Sequence, residues 1–194
     1  MTTSRSNVGA SAEILPLEPV PNSVLGRLYH YWREQRGEAA LPPFRSIRPE
    51  ELRFMLGRIT LIDVLDQPLR FRYRLVGTVV TTAGAIDMQG QLVSALRPRF
   101  YARLVESHLA GVFQRGEPAL YAITVFRPGA VRSYQRIVLP YAADPDSGAA
   151  GALMTGTWHA GDLESVLGHP DFTNAEDDAS APPAAGATRP APPG

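Results

Sequence analysis

Apolar and polar positions alternate most strictly over residues 69–75, where Leu69, Phe71, Tyr73 and Leu75 interleave with Arg70, Arg72 and Arg74. A period of two predicts a strand with one face toward a core and three guanidinium groups on the other. The preceding Ile59-Thr60-Leu61-Ile62-Asp63-Val64 run reads as its partner, joined through the turn-forming Asp66-Gln67-Pro68. Three further strands are expected at 119–126, 133–139 and 151–158, separated by Arg127-Pro128-Gly129 and by Asp144-Pro145-Asp146-Ser147-Gly148.

The period changes to that of a helix in two places. Over 23–35 a stripe of Val24, Leu25, Leu28, Tyr31 and Trp32 follows Ser23, a residue suited to N-capping, and Gly37 stops it. Over 99–115 Tyr101, Leu104, Val105, Leu109 and Val112 share one face, with Gly116 as the stop. Arg48-Pro49-Glu50-Glu51 predicts a second short helix with Leu52, Met55 and Leu56 inward, and the Thr-, Ala- and Gly-rich stretch 78–96 predicts short helical turns. The element order implies an α+β layer arrangement: a five-stranded antiparallel sheet with helices on one face and an N-terminal flanking helix.

Composition sharpens the boundaries. Pro and Gly crowd the ends of the 194-residue chain, so residues 1–22 are expected to be an unstructured tail, 23–168 a single domain, and 169–194 a second tail, acidic and rich in Pro and Ala. All 19 basic residues are Arg and balance 19 acidic residues, which removes Schiff-base and P-loop lysines and gives no global electrostatic case for nucleic acid or an anionic membrane. The lack of cysteine excludes disulfides, thiolate metal sites and cysteine nucleophiles. Without an apolar run long enough for a membrane span or a signal peptide, the chain is read as soluble and cytoplasmic. No nucleophile elbow, P-loop, dinucleotide fingerprint or zinc-protease motif occurs, so no catalytic or metal-ligating residue is assigned and the chain is read as non-enzymatic.

Several fragments, in order, resemble the PAS domain family and within it a stand-alone subfamily of bacterial, alphaproteobacterial type. They are Tyr29-His30-Tyr31-Trp32, Leu41-Pro42, Pro49-Glu50-Glu51-Leu52, Phe71-Arg72-Tyr73-Arg74-Leu75-Val76-Gly77-Thr78, Asp87-Met88-Gln89-Gly90, Gly116-Glu117-Pro118 and Arg136-Ile137-Val138-Leu139-Pro140. The resemblance implies a PAS-like fold and a sensory or signalling role, through a small ligand, dimerisation or contact with a signalling protein that the sequence does not identify. For a ligand, a cavity between the sheet and the long helix is expected, lined by Leu61, Tyr73, Leu104, His108, Ile123 and Leu153. The alternative is an interaction or dimerisation module with a filled core. Its expected interface is Leu28, Tyr31, Trp32 and the stripe of Arg70, Arg72 and Arg74. Some PAS sensors bind haem through a histidine on the long helix, which would make His108 a ligand. A lone histidine carries little metal information, and the residue pattern favours a histidine at the core edge.

Overall fold

The structure, a computed structural model, describes residues 8–20, 23–84, 87–143, 151–161 and 163–175. The expected turn at 144–148 and the acidic part of the tail, 176–194, lie outside the described residues. The strands are β1 (Gly9–Leu15), β2 (Ile59–Leu65), β3 (Arg70–Val76), β4 (Ala119–Arg127), β5 (Ala130–Tyr141) and β6 (Gly151–Trp158). They form one antiparallel sheet in the order β1-β4-β5-β6-β2-β3. The helices are α1 (Ser23–Arg36), α2 (Thr78–Gly84), α3 (Arg99–Arg115) and two single turns, α4 (Glu164–Leu167) and α5 (Pro170–Thr173).

The α+β class holds, with six strands where five were expected. The added strand, β1, falls inside the segment 1–22 expected to be unstructured. It pairs along its length with β4, from Gly9 opposite Phe126 to Leu15 opposite Leu120. Its side chains are mostly small, so the backbone ladder, with Val8, Ala10 and Ala12 laid on the α3 layer, does the work that large apolar residues do elsewhere.

Both faces of the sheet are covered. Residues in phase on β4, β5 and β6 (Tyr121, Ile123, Tyr134, Val138, Leu153) join Leu104, Val105, Leu109 and Val112 of α3 in one core cluster. The out-of-phase residues (Leu120, Ile137, Leu139, Tyr141, Met154) join Leu25, Leu28, Tyr31 and Trp32 of α1 in a second. The N-terminal flanking helix expected beside the helices of one face is α1, and it forms a full packing layer on the opposite face of the sheet. The Trp32 indole N–H donates to the Pro140 carbonyl at 2.8 Å, and the Tyr31 hydroxyl accepts from the Arg48 N–H at 2.8 Å, so both large polar-tipped rings are satisfied in place. At Gly156 of β6, an added Cβ would lie 2.5 Å from Leu28 Cδ2, which is how closely α1 approaches the sheet.

The strict alternation of β3 fails at its end. A register shift between Leu61 and Ile62 places Ile62 opposite Tyr73 and Leu61 opposite Leu75, leaving Arg74 as the extra residue of a bulge. Leu75 is therefore 43% exposed while Val76 packs on the α3 side. Leu56, expected inward, is also exposed, because the chain over Pro49–Leu52 and Leu56–Arg58 forms 3-10 turns, which change which side chains share a face. Gly77 then passes so close to Gly57 that an added Cβ would lie 2.4 Å from its carbonyl oxygen. That backbone crossing starts α2 beside the first residue of β2, Ile59.

Candidate functional site

On the α3 side, at the end of the sheet where β3 leads into α2, lies a cavity of about 100 Å³. Its floor is sheet: Tyr73 and Val76 of β3, Tyr134 and Arg136 of β5, and Thr157 of β6. Tyr101 of α3, Val79 and Val80 of α2, and Leu163, Leu167 and Phe172 of the C-terminal turns close it. Arg58, Arg97 and His159 also line it, and none of the described lining residues is acidic.

Arg136 lies in phase with Tyr134 and Val138 on the core-facing side of β5, so the fold carries a guanidinium into the interior; it is 9% exposed. Its Nη2 donates to the Tyr134 hydroxyl at 2.8 Å and to the Tyr101 hydroxyl at 3.2 Å, and those two hydroxyls lie 2.6 Å apart. Its Nη1 is buried with no hydrogen-bond partner among the described residues. Burial by itself would lower the pKa of Arg136, but the phenol oxygens of Tyr134, Tyr101 and Tyr73 more than offset it, so the net shift is upward and the group stays charged. Burial raises Tyr73 and Tyr134 well above the usual phenol range, so both remain neutral donors. Arg58 contributes a second buried Nη1 without a partner, its guanidinium carbon 4.9 Å from the centre of the Trp158 ring.

The C-terminal segment is part of this site and corrects the expected domain limit at 168. Phe172 is buried and packs edge-on against Tyr101, with ring centres 5.6 Å apart, and against Phe100 at 5.7 Å. Arg127 fastens the segment by donating twice to the Ser165 carbonyl, both at 3.2 Å.

Of the six residues expected to line a cavity, only Tyr73 does so. Leu104, His108, Ile123 and Leu153 are buried side chains on the same side of the sheet, away from the cavity wall, and Leu61 packs on the opposite face with the α1 layer. His108 stacks on Tyr121 with ring centres 3.8 Å apart, and burial, aided by the charge of Arg136, lowers its pKa to about 3. It is a neutral core histidine. A cavity smaller than the ~150 Å³ that accepts one benzene cannot take a porphyrin, and His108 does not line it, so the residues present do not fit haem. No group of histidines and carboxylates among the described residues could hold a metal ion.

The expected interface is also redistributed. Leu28, Tyr31 and Trp32 are buried within the chain itself. Arg72 and Arg74 converge on the buried carboxylate of Asp63, at 2.8 and 2.6 Å, and Arg74 also lies 4.4 Å over the Phe44 ring. Arg70 is exposed, and Arg72 keeps 40% of its side chain accessible while paired with Asp63. Arg136 carried a visible signal, a charge in phase with core residues on a strand. Arg58 carried none, because its place depends on the 3-10 turn before β2.

Among the described residues no helix is long and apolar enough to cross a membrane. Compared with known proteins, residues 21–154 match the sequence model of a family described as "PAS domain". No curated protein matches the chain. β1 and the C-terminal turns α4 and α5 lie outside the matched span.

Proposed function

Because this chain belongs to the PAS domain family, whose members are sensory and signalling modules, we propose that it is a non-enzymatic sensor that takes a small ligand into the cavity beside Tyr73 and Arg136. The observation that carries this reading is the cavity itself. It sits where three elements outside the sheet meet, and it is lined by buried polar groups that a purely structural core has no use for. Its size limits the ligand to fewer atoms than a nucleotide, flavin or porphyrin. Leu163, Leu167 and Phe172 form one wall, so occupancy acts first on α4 and α5, and through them on whatever chain the C-terminal segment contacts. The flanking helix α1 is a poorer output element, since it packs on the other face of the sheet.

The test is hydrogen exchange on the full chain with a panel of neutral and charged fragments of at most roughly six heavy atoms, compared with a Val80→Phe variant that fills the cavity. Slower exchange over 163–173 with some fragment, lost in the variant, is the expected result. If no fragment of either kind changes exchange there, the ligand reading fails and an interaction module with a closed core replaces it.

A further inference from the structure

Among the described residues lining the cavity the charged side chains are three arginines, two of which have a buried guanidinium nitrogen with no hydrogen-bond partner there, and none is a carboxylate. A buried cation without a counter-charge is unfavourable, because desolvation is not repaid by any ion pair. Phenol hydroxyls satisfy one face of Arg136, through Nη2. The other nitrogen, Nη1, keeps N–H donors that a single anionic oxygen can accept from. The remaining walls are apolar, among them Val76, Val80, Leu163 and Leu167. Inorganic phosphate or sulfate would set oxygens against those side chains, whereas a carboxylate with a short hydrocarbon tail matches both ends.

We propose that the ligand is a short-chain monocarboxylate, its carboxylate held by Arg136 with Arg58 as second cation and its tail laid along the valine and leucine wall. This assignment rests on the ligand-binding reading above and specifies its chemistry. The tyrosines have a defined part in it: Tyr101 and Tyr134 orient the guanidinium, and Phe172, packed on Tyr101, couples the anion end to the C-terminal turns.

The experiment compares acetate, propionate and butyrate with acetamide, propionamide and butyramide, and with inorganic phosphate. It uses calorimetry and thermal unfolding of the full chain at fixed ionic strength. Propionate or butyrate should bind about ten-fold or more tightly than its amide, the scale of one charge-assisted hydrogen bond, and should raise the unfolding temperature. Arg136→Met should abolish the preference for acid over amide, and Val80→Phe should abolish binding of both. If Arg136→Met does not fold, Arg58→Gln carries the same comparison and should reduce the preference. Acids and amides binding equally, phosphate binding as well as butyrate, or an undiminished preference in the variant that folds would each overturn the carboxylate assignment while leaving a ligand site in place. Binding of neither acids nor amides overturns the assignment, and the fragment panel then decides separately whether the ligand reading falls with it.

Discussion

The two faces of the sheet bury large rings in different ways. On the α1 face the rings of Trp32 and Tyr31 find backbone partners for their polar atoms, at Pro140 and Arg48. Phe44, leucine, isoleucine and methionine fill most of the remaining volume, and the Tyr141 hydroxyl is the one buried polar ring atom of this cluster left without a partner among the described residues. On the α3 face Tyr73, Tyr101 and Tyr134 point their hydroxyl ends inward with a charged arginine among them, and a cavity remains. The first arrangement is what stability alone selects. The second sets a charged guanidinium and phenol hydroxyls inside at an energetic penalty, which is the ground for the ligand site proposed above. On the proposed ligand reading one face serves as foundation and the other as receptor, although both belong to one sheet.

That contrast can be broken from the foundation side first. Trp32→Ala removes the largest fully buried side chain there together with its hydrogen bond. It is expected to cost about 4 kcal/mol in denaturant unfolding. On the receptor side, Phe172→Ala should cost less, about 3 kcal/mol, because its segment is held by few other contacts. Hydrogen exchange over 163–173 should rise in that variant while the β2–β6 ladder stays protected. A uniform loss of protection would show that the two faces do not separate.

A pH dependence sharpens the same comparison. The His108 imidazole sits at about 3 in the folded chain against an ordinary value of 6.5, chiefly through burial and secondly through Arg136. Between those values the unfolded chain binds a proton that the folded chain refuses. Stability therefore falls as pH drops below 6.5, with a limiting slope of about 1.4 kcal/mol per pH unit. From pH 7 to pH 5 the parent should lose about 2 kcal/mol more than His108→Phe, read from denaturant midpoints. The smallest effect is expected at Arg136. Without ligand, Arg136→Met should change stability by no more than about 1 kcal/mol, or raise it, since an uncompensated buried charge is removed. A loss as large as that of Trp32→Ala would make Arg136 part of the foundation instead.

Most of the fold was legible in the sequence because it rests on period. The alternation of β2 and β3, the helical stripe of α3 and the limits of β6 follow from which residues must face a core. What escaped was whatever depends on the backbone. β1 has small side chains and is held by its ladder with β4. The bulge at Arg74 turned Leu75 outward against a perfect alternation. Phe172 lies in a composition that reads as tail, and only its burial against Tyr101 marks it as core. The site was less legible for a related reason. Leu104, Ile123 and Leu153 lie in the interior, but periodicity cannot say where the interior fails to fill, and the cavity lies at the end of the sheet where α2, the first turn of α3 and the C-terminal turns meet instead of beneath the middle of α3. The arginine stripe was visible, yet its meaning changed once Asp63 was seen to take two of the three cations.

The C-terminal turns that wall the cavity fall beyond the stretch matched to the family, while the arginine and tyrosines of the floor fall within it. On the proposed carboxylate reading, the charge-reading residues thus lie wholly within the matched stretch, while the apolar wall is shared between it, through Val76 and Val80, and the C-terminal turns beyond it. Grafting residues 159–175 onto another scaffold of this kind is a route to altering tail-length preference without rebuilding the anion grip, and drift in that short stretch alone could retune what the module perceives.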